Sequence, residues 1–488
     1  MHTSNDWNFA ATLIDRIGEN SCLIDASDGR TLSGSDLSNS MVGFAVGFFS
    51  AKLQPGDRLL IVCRLSSAST LAYLAAIYAG IVPVLVDERA LVVSGAEIFA
   101  KAAAKAVWMT RDAGWKWAEE NGVQQIHGNF QPCSANGLKA APASENDLAA
   151  LMPTSGSSGT PRLVKVTHGN LKANTEAIIR SQQLGTAEKA MLIMPVSYCF
   201  GASVVHTHLY QGGGVVFDPR FMFPDKVLRA IDSYQCTTFA GVPAVYNILL
   251  RRSNLSSFSL PSLRRFIQAG GALPPESVRE ICRIFPSADF FVMYGQTEAT
   301  ARISSFSVGR HPEKLGSAGR PLDNLKIRIV GEDGRELSDG QIGEIQVQGP
   351  SVCSGYLNEP AATAKKFSEG WLKTGDLASV DEGGYLWIKG RTEEFMKIRG
   401  LRVSMAEVES KIAAISGVYE CAAVGVEHPE AGEALALFII PDSATDGLVD
   451  RVRTALPPQW TCSSVKLVSE LPRTENGKIA RLRLRTLV

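Results

Sequence analysis

Residues 153–170 read PTSGSSGTPRLVKVTHGN. Hydroxyl side chains at Thr154, Ser155, Ser157, Ser158 and Thr160 alternate with Gly156 and Gly159, and Arg162 and Lys165 add positive charge at the exit. Glycine lets a backbone turn tightly and bring its amides close to a ligand. Hydroxyls, amides and cations together suit a polyanion, above all the triphosphate tail of a nucleotide. The G-x-x-x-x-G-K-[ST] spacing of a P-loop is absent. A flexible Gly/Ser linker has a similar composition, so this stretch alone leaves both readings open.

Further stretches follow in order: QAGGALP (268–274), YGQTEA (294–299), GWLKTGD (370–376), KGRTEEFMKIRG (389–400) and PRTENGK (472–478). Each has a plain reading in isolation. Pro274-Pro275-Glu276 would open a helix after any turn, Asp376 after Gly375 suits a turn, and Glu298 and Lys478 could be solvated side chains.

The elements needed to position these loops are legible. Apolar runs such as Arg58–Val62, Ile81–Val86, Gly214–Phe217, Thr237–Ala240, Leu263–Ala269 and Phe290–Met293 alternate with helical patterns at Ser69–Ala79, Pro224–Ser233, Pro243–Leu250 and Pro274–Ile284. Such alternation predicts α/β layers with largely parallel sheets. In these sheets ligands bind beyond the carboxyl ends of the strands. Thr154–Thr160, Gly270–Leu273 and Tyr294–Glu298 all follow predicted strands, so they could share one crevice. From about residue 324 short strands and Gly- and Asp-rich turns dominate. After Arg391 comes a tail of roughly 95 residues, long enough for a small α+β domain, with Ser404-Met405-Ala406-Glu407 opening a helix.

Bulk properties exclude several classes. The chain has 488 residues, 45% hydrophobic and 20% charged, with a formal net charge of zero. That describes an ordinary globular protein and argues against a dedicated nucleic-acid binder. The nine cysteines show no C-x-x-C pair, which fits reduced thiols in the cytoplasm better than a disulfide framework or zinc site. No signal peptide is read at the N-terminus. The most apolar stretch, Leu71–Val86, is interrupted by Gly80 and Pro83 and is too short for a membrane span.

Taken in order, these motifs resemble the adenylate-forming superfamily of acyl-CoA synthetases, peptide-synthetase adenylation domains and luciferases. The resemblance covers nearly the whole chain, including PGDRLLIV and YLAAIYAGIVPVLV near its start. It implies a large N-terminal adenylation domain (1–392) of layered α/β subdomains plus a β section, and a small mobile α+β C-terminal domain (393–488). It implies the following chemistry: a carboxylate attacks the α-phosphate of ATP, giving an acyl-adenylate and pyrophosphate, and a thiol then displaces AMP.

By this resemblance Thr154, Ser155, Gly156, Ser157, Ser158, Gly159 and Thr160 cradle the β- and γ-phosphates. Gly271, Ala272 and Leu273 line the adenine site, Tyr294 stacks on adenine beside Gly295 and Gln296, and Thr297 meets the α-phosphate. Glu298 helps hold Mg²⁺. Asp376 accepts the ribose hydroxyls with Arg391 nearby. Lys478 bridges the carboxylate and the α-phosphate, and Glu393 marks the hinge. Two departures stand out. Relatives carry Lys-Gly where this chain has Arg162-Leu163, and Asp or Lys where it has Glu393. His168 is expected to be structural.

Tyr198 is the expected aromatic gate of the acyl pocket, with Phe200 the second choice; Val204, Gly241, Val242, Ala269 and Gly270 form its walls. No Asp or Glu occurs from Met194 through Leu209, and a buried ammonium without a counter-charge would be costly. The expected substrate is therefore a fatty or aromatic carboxylic acid without an α-amino group. His206 could read a polar substituent, though a packed helical histidine is the simpler expectation. The acceptor is coenzyme A or the phosphopantetheine of a carrier protein. An ATP-binding protein that has lost catalysis is the reading from another class.

Overall fold

The most apolar stretch of the chain resolves into a helix and a strand. Ser67–Tyr78 is buried on every side, as expected of a helix that is hydrophobic all round. Ser66 caps it, its side chain accepting from the Ser69 amide. The helix packs against Arg58–Cys63 and Val82–Asp87 of one sheet and Cys22–Asp25 of another, so no face is left for solvent. A computed structural model describes residues 7–110, 115–128, 130–134, 137–154, 161–186, 188–391, 395–399, 401–442, 446–473 and 479–488.

By compactness the chain divides into two units: residues 1–327 with 347–373, and residues 328–346 with 374–488. In the first unit, one sheet has the order Gln124–His127, Ala106–Met109, Arg58–Cys63, Val82–Asp87, Leu148–Thr154, Arg162–Thr167. It is parallel until Arg162–Thr167 turns back against Leu148–Thr154. A nine-stranded sheet runs Arg320–Pro321, Ser304–Ser307, Asp289–Tyr294, Arg265–Gln268, Thr238–Gly241, Lys189–Leu192, Gly214–Phe217, Cys22–Asp25, Arg30–Ser33. Its interior strands are parallel, and Ser304–Ser307 and Arg30–Ser33 run against their neighbours. A short strand buried on both faces, such as Gly214–Phe217 with Val215, Val216 and Phe217 all fully buried, reads as a continuous apolar run.

In the second unit Phe395–Ile398, Leu401–Ser404, Val418–His428, Gly432–Pro441 and Cys462–Leu467 form one sheet. Met405–Ala413 and Leu448–Ala455 contribute Val408, Ile412, Leu448 and Val452 to its core. The Ser404 hydroxyl caps the first helix by accepting from the Glu407 amide. The mixed α/β architecture with a large and a small part matches the expected fold class, while the compact second unit also takes in residues 328–346 and 374–391, which fall within the expected N-terminal domain (1–392). Among the described residues no helix is long and apolar enough to cross a membrane. The nine cysteines are all free thiols.

Candidate active site

Four predicted site segments lie at the carboxyl ends of four neighbouring parallel strands. Lys189–Leu192, Thr238–Gly241, Arg265–Gln268 and Asp289–Tyr294 are adjacent in that order. They lead into Met194–Phe200, Gly241–Val242, Ala269–Leu273 and Tyr294–Glu298 respectively. The strands on either side of Lys189–Leu192 are Gly214–Phe217 and Thr238–Gly241, so the winding direction switches there. A crevice at such a switch point is where open α/β sheets take ligands.

The Gly270–Ala272 turn is exposed, while Ala269 and Leu273 are buried. Gly270 has φ +89°, and a Cβ there would stand 3.3 Å from Val242 Cγ1. Gln268 Nε2 donates to the Gly271 carbonyl at 2.7 Å. The turn is thus small, fixed and pressed against the Gly241–Val242 corner.

Tyr294–Glu298 lies in a tight hairpin between Asp289–Tyr294 and Ser304–Ser307, closed by the Ile303 amide donating to the Tyr294 carbonyl at 2.8 Å. Gly295 is required for steric reasons: a Cβ would collide with the Ala301 carbonyl and stand 2.9 Å from the Arg302 Cα. Tyr294, Gln296 and Thr297 are half-buried. The Thr297 hydroxyl lies 3.6 Å from Cys199 Sγ, and the Cys353 thiol donates to the Thr297 carbonyl. Glu298 is buried and accepts a 2.7 Å hydrogen bond from the Tyr356 hydroxyl. Burial raises the Tyr356 phenol above its ordinary range; the Glu298 charge adds to this and Arg162 opposes it.

The base of the hydroxyl-rich loop is a strand pair, with Thr154 opposite Arg162. Ser155, Gly156, Ser157, Ser158, Gly159 and Thr160 lie outside the described residues. Both unusual residues at the loop exit have local roles. Arg162 Nε pairs with Glu359 Oε2 at 3.2 Å, and its guanidinium lies 5.4 Å from the centroid of the Tyr356 ring. Lys101 pairs with the same Glu359 and donates to the Pro161 carbonyl at 3.0 Å. Leu163 is fully buried in a core cluster with Val84, Val86, Leu151 and Leu357, and its carbonyl accepts from the Leu357 amide. Sequence reasoning missed Tyr356 and Glu359, which sit in SGYLNEP far from the loop in sequence.

Tyr198 is half-buried at the start of the helix Cys199–Tyr210, and Phe200 is buried in its first turn. The Arg302 guanidinium lies over the Phe200 ring at 4.9 Å; this residue too escaped the sequence reading. The two singled-out histidines are structural. His168 Nδ1 accepts from the Phe9 amide at 3.1 Å, at the head of a helix that Thr167 and Asn170 cap reciprocally. His206 Nε2 shares a 3.0 Å hydrogen bond with the Tyr73 hydroxyl, and burial pulls its pKa down to about 3. It is a neutral core histidine.

In the second unit Asp376 stands opposite Arg391 across an antiparallel pair, and Arg391 Nε lies 3.2 Å from Asp376 Oδ1. Asp376 is buried, whereas the Arg391 side chain is half exposed. Gly375 adopts φ +76°, and its amide donates to Glu344 at 2.9 Å. The hinge residue Glu393 and the lysine Lys478 lie outside the described residues.

The chain is similar to known proteins in sequence and fold. A family model described as AMP-binding enzyme matches residues 14–357, and one described as AMP-binding enzyme C-terminal domain matches residues 407–478. A feruloyl-CoA synthase from Amycolatopsis is 30% identical over 465 residues, covering 93% of each chain. A sulfoacetate–CoA ligase from Cupriavidus necator is 33% identical over 368 residues, covering 72% of this chain and 71% of the relative. The crystal structure of ATP-bound MatB from Rhodopseudomonas palustris superposes with a TM-score of 0.88 at 26% identity, covering 99% of both chains.

Proposed function

The chain belongs to the AMP-binding enzyme family and is an AMP-forming acyl-CoA ligase in type, and on that premise we propose that it activates a carboxylic acid lacking an α-amino group and transfers the acyl group to coenzyme A. The observation that carries this proposal is the set of neighbouring strand ends presenting an exposed small-residue turn at Gly270–Ala272 beside a hairpin carrying Tyr294, Thr297 and Glu298. Small residues admit a flat base, and a carboxylate beside them suits a nucleotide held through a cation.

In the first step a substrate carboxylate oxygen attacks the α-phosphorus of ATP. The bond from that phosphorus to the bridging oxygen breaks, releasing pyrophosphate and leaving an acyl-adenylate. Two anions must approach, so positioning and charge neutralisation dominate the catalysis. Thr154 to Thr160 hold the β- and γ-phosphates, Gly271 to Leu273 and Tyr294 to Gln296 seat the adenine, and Thr297 meets the α-phosphate. Asp376 takes the ribose hydroxyls, with Arg391 alongside. Lys478 neutralises charge between carboxylate and α-phosphate.

Glu298 suits Mg²⁺, which commonly binds one or two carboxylates together with substrate phosphates. Its Oε1 is steadied by Tyr356. In the second step the thiol sulfur attacks the acyl carbon, the acyl–phosphate bond breaks, and AMP leaves.

Tyr198, Phe200, Gly241, Val242, Ala269 and Gly270 form the acyl pocket, and its small and apolar walls suit an aliphatic or aromatic body. The absence of Asp and Glu from 194–209 argues against an ammonium beside the reacting carboxylate. Rotation at Glu393 lets residues 393–488 serve the two steps in turn. Free thiols suit a reducing compartment such as the cytoplasm.

Acid-dependent ATP–pyrophosphate exchange, followed by thioester formation with CoA, tests the proposal. Exchange with at least one acid and a CoA thioester product are expected. Thioester formation with holo-carrier protein but not CoA would reassign the acceptor, and ATP binding without exchange for any acid would overturn ligase activity.

A further inference from the structure

Arg302 is a buried cation with no anionic partner among the described residues. It is 2% exposed, its Nε is fully buried with no hydrogen-bond partner, and no carboxylate among the described residues pairs with it. The contrast within the same unit is direct. Arg265, 7% exposed, is held by Glu188 through bonds of 2.5 and 3.0 Å. Buried polar groups are as a rule satisfied, and a buried charge left unpaired is costly. Burial lowers the Arg302 pKa to about 10, slightly opposed by Cys199, so the group remains charged at neutral pH.

The residue is held firmly despite that cost. Asn174 Nδ2 donates to the Arg302 carbonyl at 2.9 Å, and the Arg302 amide donates back to Asn174 Oδ1 at 3.3 Å. The Gly295 turn gives its backbone room. The guanidinium carbon lies 4.9 Å from the centroid of the Phe200 ring. Phe200 belongs to the segment assigned above to the acyl pocket, and Thr297, assigned to the α-phosphate, lies in the same hairpin loop. A fixed, planar, unpaired guanidinium at this position is a preorganised anion receptor.

We propose that the acid this enzyme activates carries a second, distal anionic group, a carboxylate or a sulfonate, which Arg302 binds while Phe200 holds the guanidinium plane. The inference rests on the ligase assignment and narrows its substrate class. An acid lacking the second anion leaves Arg302 unpaired, and sites built to pair a buried polar group discriminate strongly against ligands that lack its partner.

The test is ATP–pyrophosphate exchange with matched acids: butyrate against succinate, hexanoate against adipate, propionate against 3-sulfopropionate, and benzoate against the benzenedicarboxylates. Wild-type enzyme should favour one two-anion acid over its matched monoacid by at least about 100-fold in kcat/KM. In Arg302→Met that ratio should fall to within about tenfold, chiefly through KM of the acid. Exchange with monoacids but no such preference overturns the proposal. So does an Arg302→Met variant that loses activity on both members of a pair equally, which would assign Arg302 to the nucleotide or the reacting carboxylate. If Arg302→Met does not fold, Arg302→Lys should narrow the ratio through a higher KM for the two-anion acid, and an unchanged ratio counts against the proposal. Wild-type protein that binds ATP by calorimetry yet exchanges with no acid overturns the ligase assignment, and this inference with it.

Discussion

The Tyr356 hydroxyl donates a 2.7 Å hydrogen bond to Glu298, and the Arg162 guanidinium lies 5.4 Å from the centroid of the same tyrosine ring. One aromatic side chain therefore connects the exit of the hydroxyl-rich loop with the carboxylate assigned to Mg²⁺. Arg162 is tied in turn to Glu359, which Lys101 also engages.

Tyr356→Phe removes the donor and leaves the buried Glu298 carboxylate short of a charge-assisted hydrogen bond, a loss of about 1.5–3 kcal/mol. The variant should melt at a lower temperature, and its exchange activity should need several-fold more Mg²⁺ for half-saturation. Thermal melts and a Mg²⁺ titration of exchange measure the two effects separately. A lower melting temperature with an unchanged Mg²⁺ requirement would show that the bond serves stability alone.

Gly295 and Gly271 should respond differently to alanine. At Gly295 the new methyl meets the backbone of Ala301 and Arg302, which cannot yield without opening the hairpin. Gly295→Ala should cost at least about 3 kcal/mol, in the range of severe overpacking and strain. At Gly271 the nearest atom to a new methyl is Pro243 Cγ at 3.3 Å, so the fold should survive while KM for ATP rises. Urea denaturation and ATP kinetics on the two variants check the contrast. Equal stability loss in both would mean that the Gly271 turn is as tightly held as the hairpin.

Much of this arrangement is legible in the chain. Pro224–Ser233 is a helix with the expected ends, and Gly214–Phe217 is a strand as expected. Their local patterns and Pro signals are strong and agree with the tertiary environment. The placement of Gly270–Leu273 and Tyr294–Glu298 at strand ends also follows from the alternation of elements. Tyr356, Glu359 and Arg302 were not legible, because their significance comes from partners far away in sequence: Glu298, Arg162 and Phe200. Arg162-Leu163 looked like a simple departure. Only three-dimensional neighbours reveal Leu163 as a core residue and Arg162 as part of an ion-pair cluster.

His206 and His208 should make the protein sensitive to acid. Burial lowers their pKa values to about 3 and about 4, from an ordinary 6.5. Below pH 6.5 the unfolded chain binds protons at these positions that the folded chain refuses, so stability falls as pH falls. At pH 5 each histidine accounts for about 2 kcal/mol of that loss. His206→Gln retains a group able to bond the Tyr73 hydroxyl but does not titrate. Its urea midpoint should shift less between pH 7 and pH 5 than that of the wild type. An equal shift in both proteins would place the acid sensitivity elsewhere.

Lys478 and Asp376 are assigned to different parts of the reaction, and half-reactions should separate them. A lysine that neutralises two approaching anions matters when the phosphorus is attacked and much less once the adenylate exists. Lys478→Ala should therefore lower adenylation about 100- to 1000-fold, the range of a lost transition-state charge contact, while transfer from a supplied acyl-adenylate to CoA keeps most of its rate. Asp376 is assigned to the ribose, which is present in both ATP and the adenylate. Asp376→Ala should weaken both half-reactions, chiefly through KM, since a contact made equally in ground and transition states affects binding more than turnover. Arg391 loses its 3.2 Å partner in that variant, so Asp376→Asn, which keeps an acceptor for the ribose and for Arg391, should recover part of the loss. Single-turnover measurement of both half-reactions with all three variants decides the assignment. Equal loss in both steps for Lys478→Ala would remove it from the phosphorus-attack step.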